Sequence, residues 1–147
     1  MVAVAVSADR VRSPLSAERV RALAMAVLTA ERVRAALVSI AFVSARAIAR
    51  LNHAHLARDG PTDVIAFALG RAWRGAPLIG DIYIAPAVAR AHARRHGVTV
   101  REELARLVVH GVLHVVGHDH PDGPDRMSSA MWRRQERLVR RLCARPR

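Results

Sequence analysis

One segment of the sequence, HGVLHVVGHDH from His110 to His120, combines residue types and spacings that suit a bound metal ion. His110 and His114 are four residues apart, so on a helix both side chains project from the same face. Gly117 follows the last apolar turn, and a glycine there can adopt the left-handed conformation that ends a helix. The chain would then bring residues 118–120 back beside the histidine pair, which puts a third ligand within reach.

The chemistry of these ligands favours zinc. Neutral imidazoles suit Zn²⁺, and three protein ligands leave a fourth position for water or substrate, which is typical of catalytic sites. The alternative is a set of core histidines held by hydrogen bonds. Because unpartnered polar groups are costly in an apolar interior, a shared ion is the favoured interpretation. The surrounding segment is apolar on all sides and is predicted to be a buried helix: Leu107, Val108, Val109, Val112, Leu113, Val115 and Val116.

The other histidines are weaker candidates for metal binding. His92 and His96 are also four apart, but they lie in the segment ARAHARRHG, whose arginines repel a divalent cation. This pair is predicted to lie on a solvated helix face. His53 and His55 are two residues apart and would point in different directions on a helix.

Composition limits the class of protein. The 147 residues suit one domain, spanning residues 1–147, and all 24 basic residues are arginine, which gives a net charge of +12 and a pI near 11.8. Such a charge favours a polyanionic partner, either nucleic acid or an acidic membrane surface. The single cysteine, Cys143, excludes an intramolecular disulfide, and no apolar run approaches the roughly 18 residues that span a bilayer. A cytoplasmic protein without a membrane segment is expected.

Strands and helices alternate in an order that predicts an α+β fold, with a small mixed sheet of about four strands covered by about five helices. Apolar runs predict strands at residues 2–6, 36–43, 62–69 and 79–84, and the run at 36–43 is predicted to be buried on both faces. Caps and helical spacing predict helices from Ser16, over 44–55, from Pro86 to Gly97, from Thr99 to Gly117, and over 125–142.

The histidine spacing matches that of the metzincin zinc proteases, HExxHxxGxxH, with one difference. In those enzymes the residue after the first histidine is the glutamate that acts as general base, and here it is Gly111. Without that carboxylate, peptide hydrolysis lacks its proton acceptor. A metallopeptidase is therefore disfavoured, although the spacing of the zinc ligands is retained.

The sequence resembles the YbeY-type bacterial rRNA maturation factors over nearly the whole chain. The family motif HGxLHLxGYDH is matched by His110, Gly111, Leu113, His114, Gly117, Asp119 and His120. The motif LNxxYRxxDxPTDVLSF is echoed by Leu51, Asn52, Asp59, Pro61, Thr62, Asp63, Val64 and Phe67. The motif LGDI appears as Ile79, Gly80, Asp81 and Ile82, and a pattern like MFxxQExIL keeps Met131, Gln135 and Glu136.

This resemblance implies a zincin-like α/β/α fold and a metal-dependent, single-strand-specific endoribonuclease. It implies action in rRNA maturation, especially of the small-subunit rRNA, and in ribosome quality control, with rRNA precursor and the ribosome as partners. It also implies one zinc ion held by His110, His114 and His120. The composition agrees independently with an RNA substrate.

Two departures from the family pattern affect the expected site. The family tyrosine before the last Asp-His pair is His118 here, which adds a possible competing ligand, although the motif aligns His120. The family arginine of the YR pair falls at Leu56, and Arg58, two positions later, is the candidate catalytic residue that could reach the same phosphate. Loss of that arginine leaves an alternative open: an rRNA-binding ribosome assembly factor that contains zinc but does not cleave RNA.

Overall fold

A mixed four-stranded sheet with the order β1-β2-β4-β3 forms the middle layer of the molecule. This is a computed structural model, and it describes residues 1–143. The strands are β1 (Val2–Ala8), β2 (Ala36–Phe42), β3 (Val64–Gly70) and β4 (Leu78–Ile84). The helices are α1 (Ala17–Ala30), α2 (Ala45–Leu56), α3 (Pro86–His96), α4 (Val100–Val116) and α5 (Ala130–Leu142), with a short 3-10 turn at Arg126–Ser128.

The sheet separates two apolar clusters, so the fold is an α/β/α arrangement as predicted. Strands β1, β2 and β4 are parallel, and β3 runs antiparallel to β4 at one edge. Ile82 of β4 faces a large cluster that α1, α4 and α5 share, whereas its neighbour Tyr83 faces a smaller cluster with Ile48 of α2. Alternate residues of a strand point to opposite faces, which explains this division.

Strand β2 is buried on one face only, so the prediction that both faces are covered was wrong. Val38 and Ile40 are buried against the helices of the large cluster. Leu37, which precedes Val38 and points to the other face of the sheet, is 40% exposed. The reason is that α2 packs against β3 and α3 at the far side of the sheet. The second face therefore remains partly open beside β1 and β2.

Three helices begin at the capping residues that the sequence predicts. Ser16 Oγ accepts a hydrogen bond from Arg19 N at 3.1 Å, and Ser44 Oγ accepts one from Ala47 N at 3.0 Å. Thr99 Oγ1 accepts from Glu102 N at 3.1 Å and so starts α4, the histidine helix. Each bond satisfies one of the backbone donors that a helix leaves unpaired at its first turn.

The last helix begins later than predicted. Ser129 is its N-cap, with extended backbone at φ −72° and ψ 158° and a side-chain oxygen that accepts from Trp132 N at 3.2 Å. Residues 126–128 form the separate 3-10 turn, and Met127 is 66% exposed and does not dock on the body. The predicted start at residue 125 was wrong because Ser129 supplies a competing cap.

The outer face of α5 carries four exposed arginines: Arg133, Arg137, Arg140 and Arg141. Its inner face buries Met131 and Leu138 against the large apolar cluster. Across residues 1–143, none of the helices has the length and apolar character that crossing a membrane requires.

Candidate metal centre

Three histidines converge at the end of α4. His110 and His114 lie one helical turn apart, with ring centroids separated by 4.6 Å. The helix ends at Gly117, whose φ of 120° is strained for any residue with a side chain, and its amide donates back to the carbonyls of Leu113 and His114. The returning chain brings the ring of His120 to 5.2 Å from that of His110 and 5.0 Å from that of His114.

The arrangement of the donor atoms fits a metal ion. One ring nitrogen from each of the three histidines lies within 4.8 Å of the other two, so one ion could contact them all. His110 Nδ1 lies 2.6 Å from Oε1 of Gln135, and His120 Nδ1 lies 3.1 Å from the carbonyl oxygen of Pro121. Because both partners accept, these Nδ1 atoms carry the protons and the Nε2 lone pairs remain free for an ion.

Burial keeps two of these imidazoles in the neutral form that binds metals. It lowers the pKa of His110 from 6.5 to about 3, although the hydrogen bond to Gln135 opposes the shift and the charge of Arg126 adds to it. The pKa of His114 is also lowered, by burial first and then by the nearby His120. Both rings are therefore neutral at physiological pH, and a metal ion would not have to displace a proton from them.

Gly111 allows α4 to lie close against the sheet. A Cβ atom at this position would come within 2.8 Å of Ile82 Cγ2, which is closer than side-chain carbons pack. A glutamate in its place would therefore meet β4 instead of the histidine centre. The metzincin proteases carry their general-base glutamate at this position, and here there is no room for a glutamate. This is a second reason why a metallopeptidase is disfavoured.

His118 points away from the other three histidines of the segment. Its Nε2 lies 3.0 Å from Oε2 of Glu31, just beyond the end of α1, and the other oxygen of Glu31 accepts from Arg134 Nε at 2.8 Å. This three-residue contact ties the loop after α4 to α1 and α5. The structure thus places the possible competing ligand outside the histidine cluster.

The prediction that His92 and His96 share a solvated face was wrong for His92. His96 is exposed, but His92 Nδ1 lies 3.0 Å from Oδ2 of Asp63, and these two side chains lie close to the carboxylate of Glu103. Asp63 immediately precedes β3, which sequence spacing within α3 could not reveal. The Glu103 carboxylate already receives a hydrogen bond from Arg106 Nη1 at 3.3 Å.

The histidines form one wall of an open cleft of about 210 Å³. Arg58, the candidate catalytic residue, lines this cleft, but its side chain is 64% exposed and its Nη2 lies 3.2 Å from Asp122 Oδ2. Leu56, which stands at the position of the family arginine, is 46% exposed and lines the same cleft. Arg126 lines both the cleft and a small cavity behind His110 and His120.

Sequence reasoning gave no role to two residues of this centre. Gln135 is 1% exposed and lies on the buried stripe of α5 between Met131 and Leu138. A lone amide on an apolar stripe was the signal that could have assigned it to a buried partner. Arg126 begins the 3-10 turn between α4 and α5, and no spacing in the sequence connects it to the histidines.

Comparison with known proteins places the chain in a family. The family model described as Endoribonuclease YbeY matches residues 6–143. A protein named Endoribonuclease YbeY from Geobacter metallireducens is 32% identical over 144 residues, which cover 96% of this chain and 93% of that protein. One of the same name from Aquifex aeolicus is 36% identical over 86 residues, which cover 58% of this chain and 57% of that protein.

A solved structure supports the same fold. The solution structure of TM1509 from Thermotoga maritima matches with a TM-score of 0.64 over 95% of this chain and 89% of that one. Its sequence identity is 24%, so this likeness speaks for the fold alone. The family model and the sequence relatives carry the assignment, and by them the chain belongs to the YbeY family.

Proposed function

We propose that this protein is a zinc-dependent endoribonuclease that cleaves single-stranded RNA during rRNA processing in the cytoplasm, chiefly at the small-subunit rRNA, and in ribosome quality control. The ribosome or its small subunit would be the assembly on which it acts. The names of the related proteins support the endoribonuclease activity. The ribosomal substrate rests on the motifs that the chain shares with rRNA maturation factors.

One observation carries the proposal: the imidazoles of His110, His114 and His120 converge on the wall of an open cleft that arginines also line. Such a cleft leaves space for an extended strand beside the ligand cluster. The net charge of +12 favours a polyanionic strand over a neutral or acidic substrate.

The residues of the site divide into two roles. The three histidines would hold the ion, and Gln135 and the carbonyl of Pro121 orient two of their rings. A divalent ion bound there supplies Lewis acidity towards a phosphate oxygen or a water molecule. Arg58, which lines the cleft, would contact an RNA phosphate if it left Asp122.

Zinc is the ion that the donor set favours. Three neutral nitrogen ligands, with no carboxylate among them, suit Zn²⁺ and are poor ligands for Mg²⁺ or Ca²⁺, which prefer oxygen. Because the three histidines line the cleft, an ion that they held would be open to a substrate or water entering from it.

The test is cleavage of a single-stranded rRNA precursor by the purified, zinc-analysed protein. We expect cleavage that EDTA abolishes and zinc restores, and that His114→Ala reduces by at least about a hundredfold. His96→Ala is the matched control, because this exposed histidine lies outside the cluster and should leave cleavage unchanged. A homogeneous, zinc-loaded protein that leaves such RNA intact would refute the nuclease.

The alternative is a ribosome assembly factor that binds rRNA without cleaving it, with the ion in a structural role. Leu56 favours this alternative, because an exposed apolar side chain occupies the part of the cleft where the family has an arginine. Cells depleted of the protein and rescued with His120→Ala separate the two. Normal rRNA ends after this rescue would support assembly without cleavage, and unprocessed ends would support the nuclease.

A further inference from the structure

Arg126 has a buried guanidinium nitrogen without a partner. Among the buried side-chain nitrogen and oxygen atoms of residues 1–143, Nε of Arg126 alone lacks a hydrogen bond. Its backbone is held firmly: its amide donates to Gly123 at 3.1 Å, and its carbonyl accepts from Ser129 Oγ at 2.6 Å. The side chain is thus fixed at its base, while Nε of its guanidinium has no acceptor.

Other partly buried arginines of the protein are paired. Arg106 Nε lies 2.8 Å from Oε1 of Glu136, and Arg134 Nε lies 2.8 Å from Oε1 of Glu31. No carboxylate of residues 1–143 forms such a pair with Arg126. Arg106 and Arg134 thus each have an acidic partner within the described chain, whereas Arg126 has none. Because a buried donor without an acceptor is costly, the unpaired Nε of Arg126 favours an acceptor that comes from outside the chain.

The surroundings of Arg126 show where such an anion would bind. The small cavity that Arg126 lines with His110 and His120 is too tight to hold even a water molecule, whereas the cleft that it lines with all three histidines has room for an anion. A divalent ion on the histidines and a guanidinium beside it would repel each other. An anion that contacts both removes this repulsion, and a phosphate has separate oxygens for each.

We propose that Arg126 forms a phosphate subsite beside the histidine centre, where its guanidinium binds a backbone phosphodiester of single-stranded RNA. This rests on the proposed function for the identity of the strand, but the subsite itself follows from the unpartnered guanidinium. Arg58 is a weaker candidate for the same role, because it is exposed and already paired with Asp122. Arg126 is a positioning residue that holds the strand against the histidines.

Binding measured without cleavage tests the subsite. The probe is a short, fluorescent 2′-O-methyl phosphorothioate strand, which keeps the backbone charge and resists nucleases, and the protein is the full chain with its metal. We expect Arg126→Met to weaken binding by about tenfold at moderate salt. The slope of log affinity against log salt should fall by about 0.7, the value for one lost phosphate contact.

Two controls separate a phosphate subsite from a structural role or a general loss of charge. Arg46→Met removes one exposed charge from α2 and should leave binding unchanged. Arg126→Met should unfold at the same temperature as the wild type or a higher one, because it removes an unsatisfied buried donor. A lower unfolding temperature with unchanged binding would assign Arg126 a structural role and overturn the proposal.

The remaining outcomes are also decisive. Equal binding by Arg126→Met and wild type overturns the subsite even if the wild type cleaves RNA. Inorganic phosphate that binds at Arg126 more tightly than the strand does overturns the RNA assignment. A wild type that binds the strand through Arg126 but cleaves no RNA refutes the nuclease and leaves the subsite standing, so the two failures are distinguishable.

Discussion

Nδ1 of His110 on α4 lies 2.6 Å from Oε1 of Gln135 on α5, and both side chains are buried. The amide nitrogen of Gln135 donates to Glu136 Oε1 at 3.3 Å, which fixes which end of the amide faces the histidine. The contact therefore sets both the orientation of the His110 ring and the nitrogen that carries its proton. Helix α5 thus supports the candidate metal centre without supplying a ligand to it.

The first prediction concerns Gln135. Gln135→Leu keeps the size of the side chain but replaces its amide with an apolar group and so removes the acceptor for His110, and zinc affinity should fall by about 10- to 100-fold. Competition with a chromophoric chelator measures this. Gln135→Glu is the matched control, because its carboxylate still accepts from Nδ1 and should retain most of the affinity. Equal affinities for the leucine and glutamate variants would contradict the orienting role.

The second prediction separates His118 from His120. His118→Ala should keep its bound zinc, because the His118 ring contacts Glu31 and lies outside the cluster. His120→Ala should lose more than about 90% of its zinc after dialysis against a weak chelator, since two histidines hold the ion far less tightly than three. Metal analysis of both purified variants checks this. Zinc loss from the His118 variant alone would reverse the assignment.

Local sequence signals predicted the parts of the site that depend on neighbouring residues. The spacing of His110 and His114 and the helix end at Gly117 are properties of one short segment, and the structure shows both. The contacts of Gln135 with His110 and of His92 with Asp63 join residues 25 and 29 positions apart. Tertiary packing alone brings such pairs together, so no periodicity could reveal them.

The third prediction concerns Gly111. Alanine in an exposed helix is normally more stable than glycine by up to about 1 kcal/mol. Here the added methyl group would meet Ile82 at 2.8 Å, so Gly111→Ala should destabilise the protein by about 1–3 kcal/mol. Denaturant unfolding measures the sign directly.

A double-mutant cycle tests the cause of this change. Ile82→Val removes one terminal carbon near Gly111, so its combination with Gly111→Ala should be more stable than the sum of the two single effects predicts. Strictly additive effects would mean that Cδ1 of Ile82 does not contribute to the strain at Gly111.

The fourth prediction is a pH dependence centred on Glu31. Burial works against ionisation of this carboxyl, but hydrogen bonds from Arg134 and His118 outweigh it, so its pKa lies below the ordinary 4.5. The unfolded chain then binds the proton more readily, and the stabilisation is present above pH 4.5 and lost as pH falls through the folded pKa. Glu31→Gln should therefore cost about 1–3 kcal/mol near neutral pH and progressively less in acid.

Urea unfolding of wild type and Glu31→Gln over a pH series checks this. The two stabilities should converge as pH falls through the folded pKa, which lies below 4.5, because only then is the wild-type carboxyl protonated in both states. Glu18→Gln is a suitable control, since Glu18 is an exposed acid in the first turn of α1. A difference that stays constant across the series would show that the charge of Glu31 does not contribute.

The fifth prediction concerns the exposed face of α5. Arg133, Arg137 and Arg140 line one groove with Trp132, and Trp132 also lines the cavity that His110 and His120 border. A strand lying in the cleft could therefore continue over the indole and along these guanidinium groups. If each arginine contacts one phosphate, replacing all three by glutamine should reduce the salt slope of RNA affinity by about 2, or about 0.7 per contact.

The size of the change in the salt dependence of RNA affinity distinguishes direct phosphate contacts by the α5 arginines from a general effect of net charge. Removing the exposed Arg46 and Arg50 of α2 lowers the net charge by two, but these residues lie on the helix across the sheet, so the slope should hardly change. Trp132→Leu should weaken binding by about 1–3 kcal/mol at every salt concentration, because stacking does not release counterions. A variant lacking the three α5 arginines that keeps the wild-type slope would place the RNA on another face of the protein.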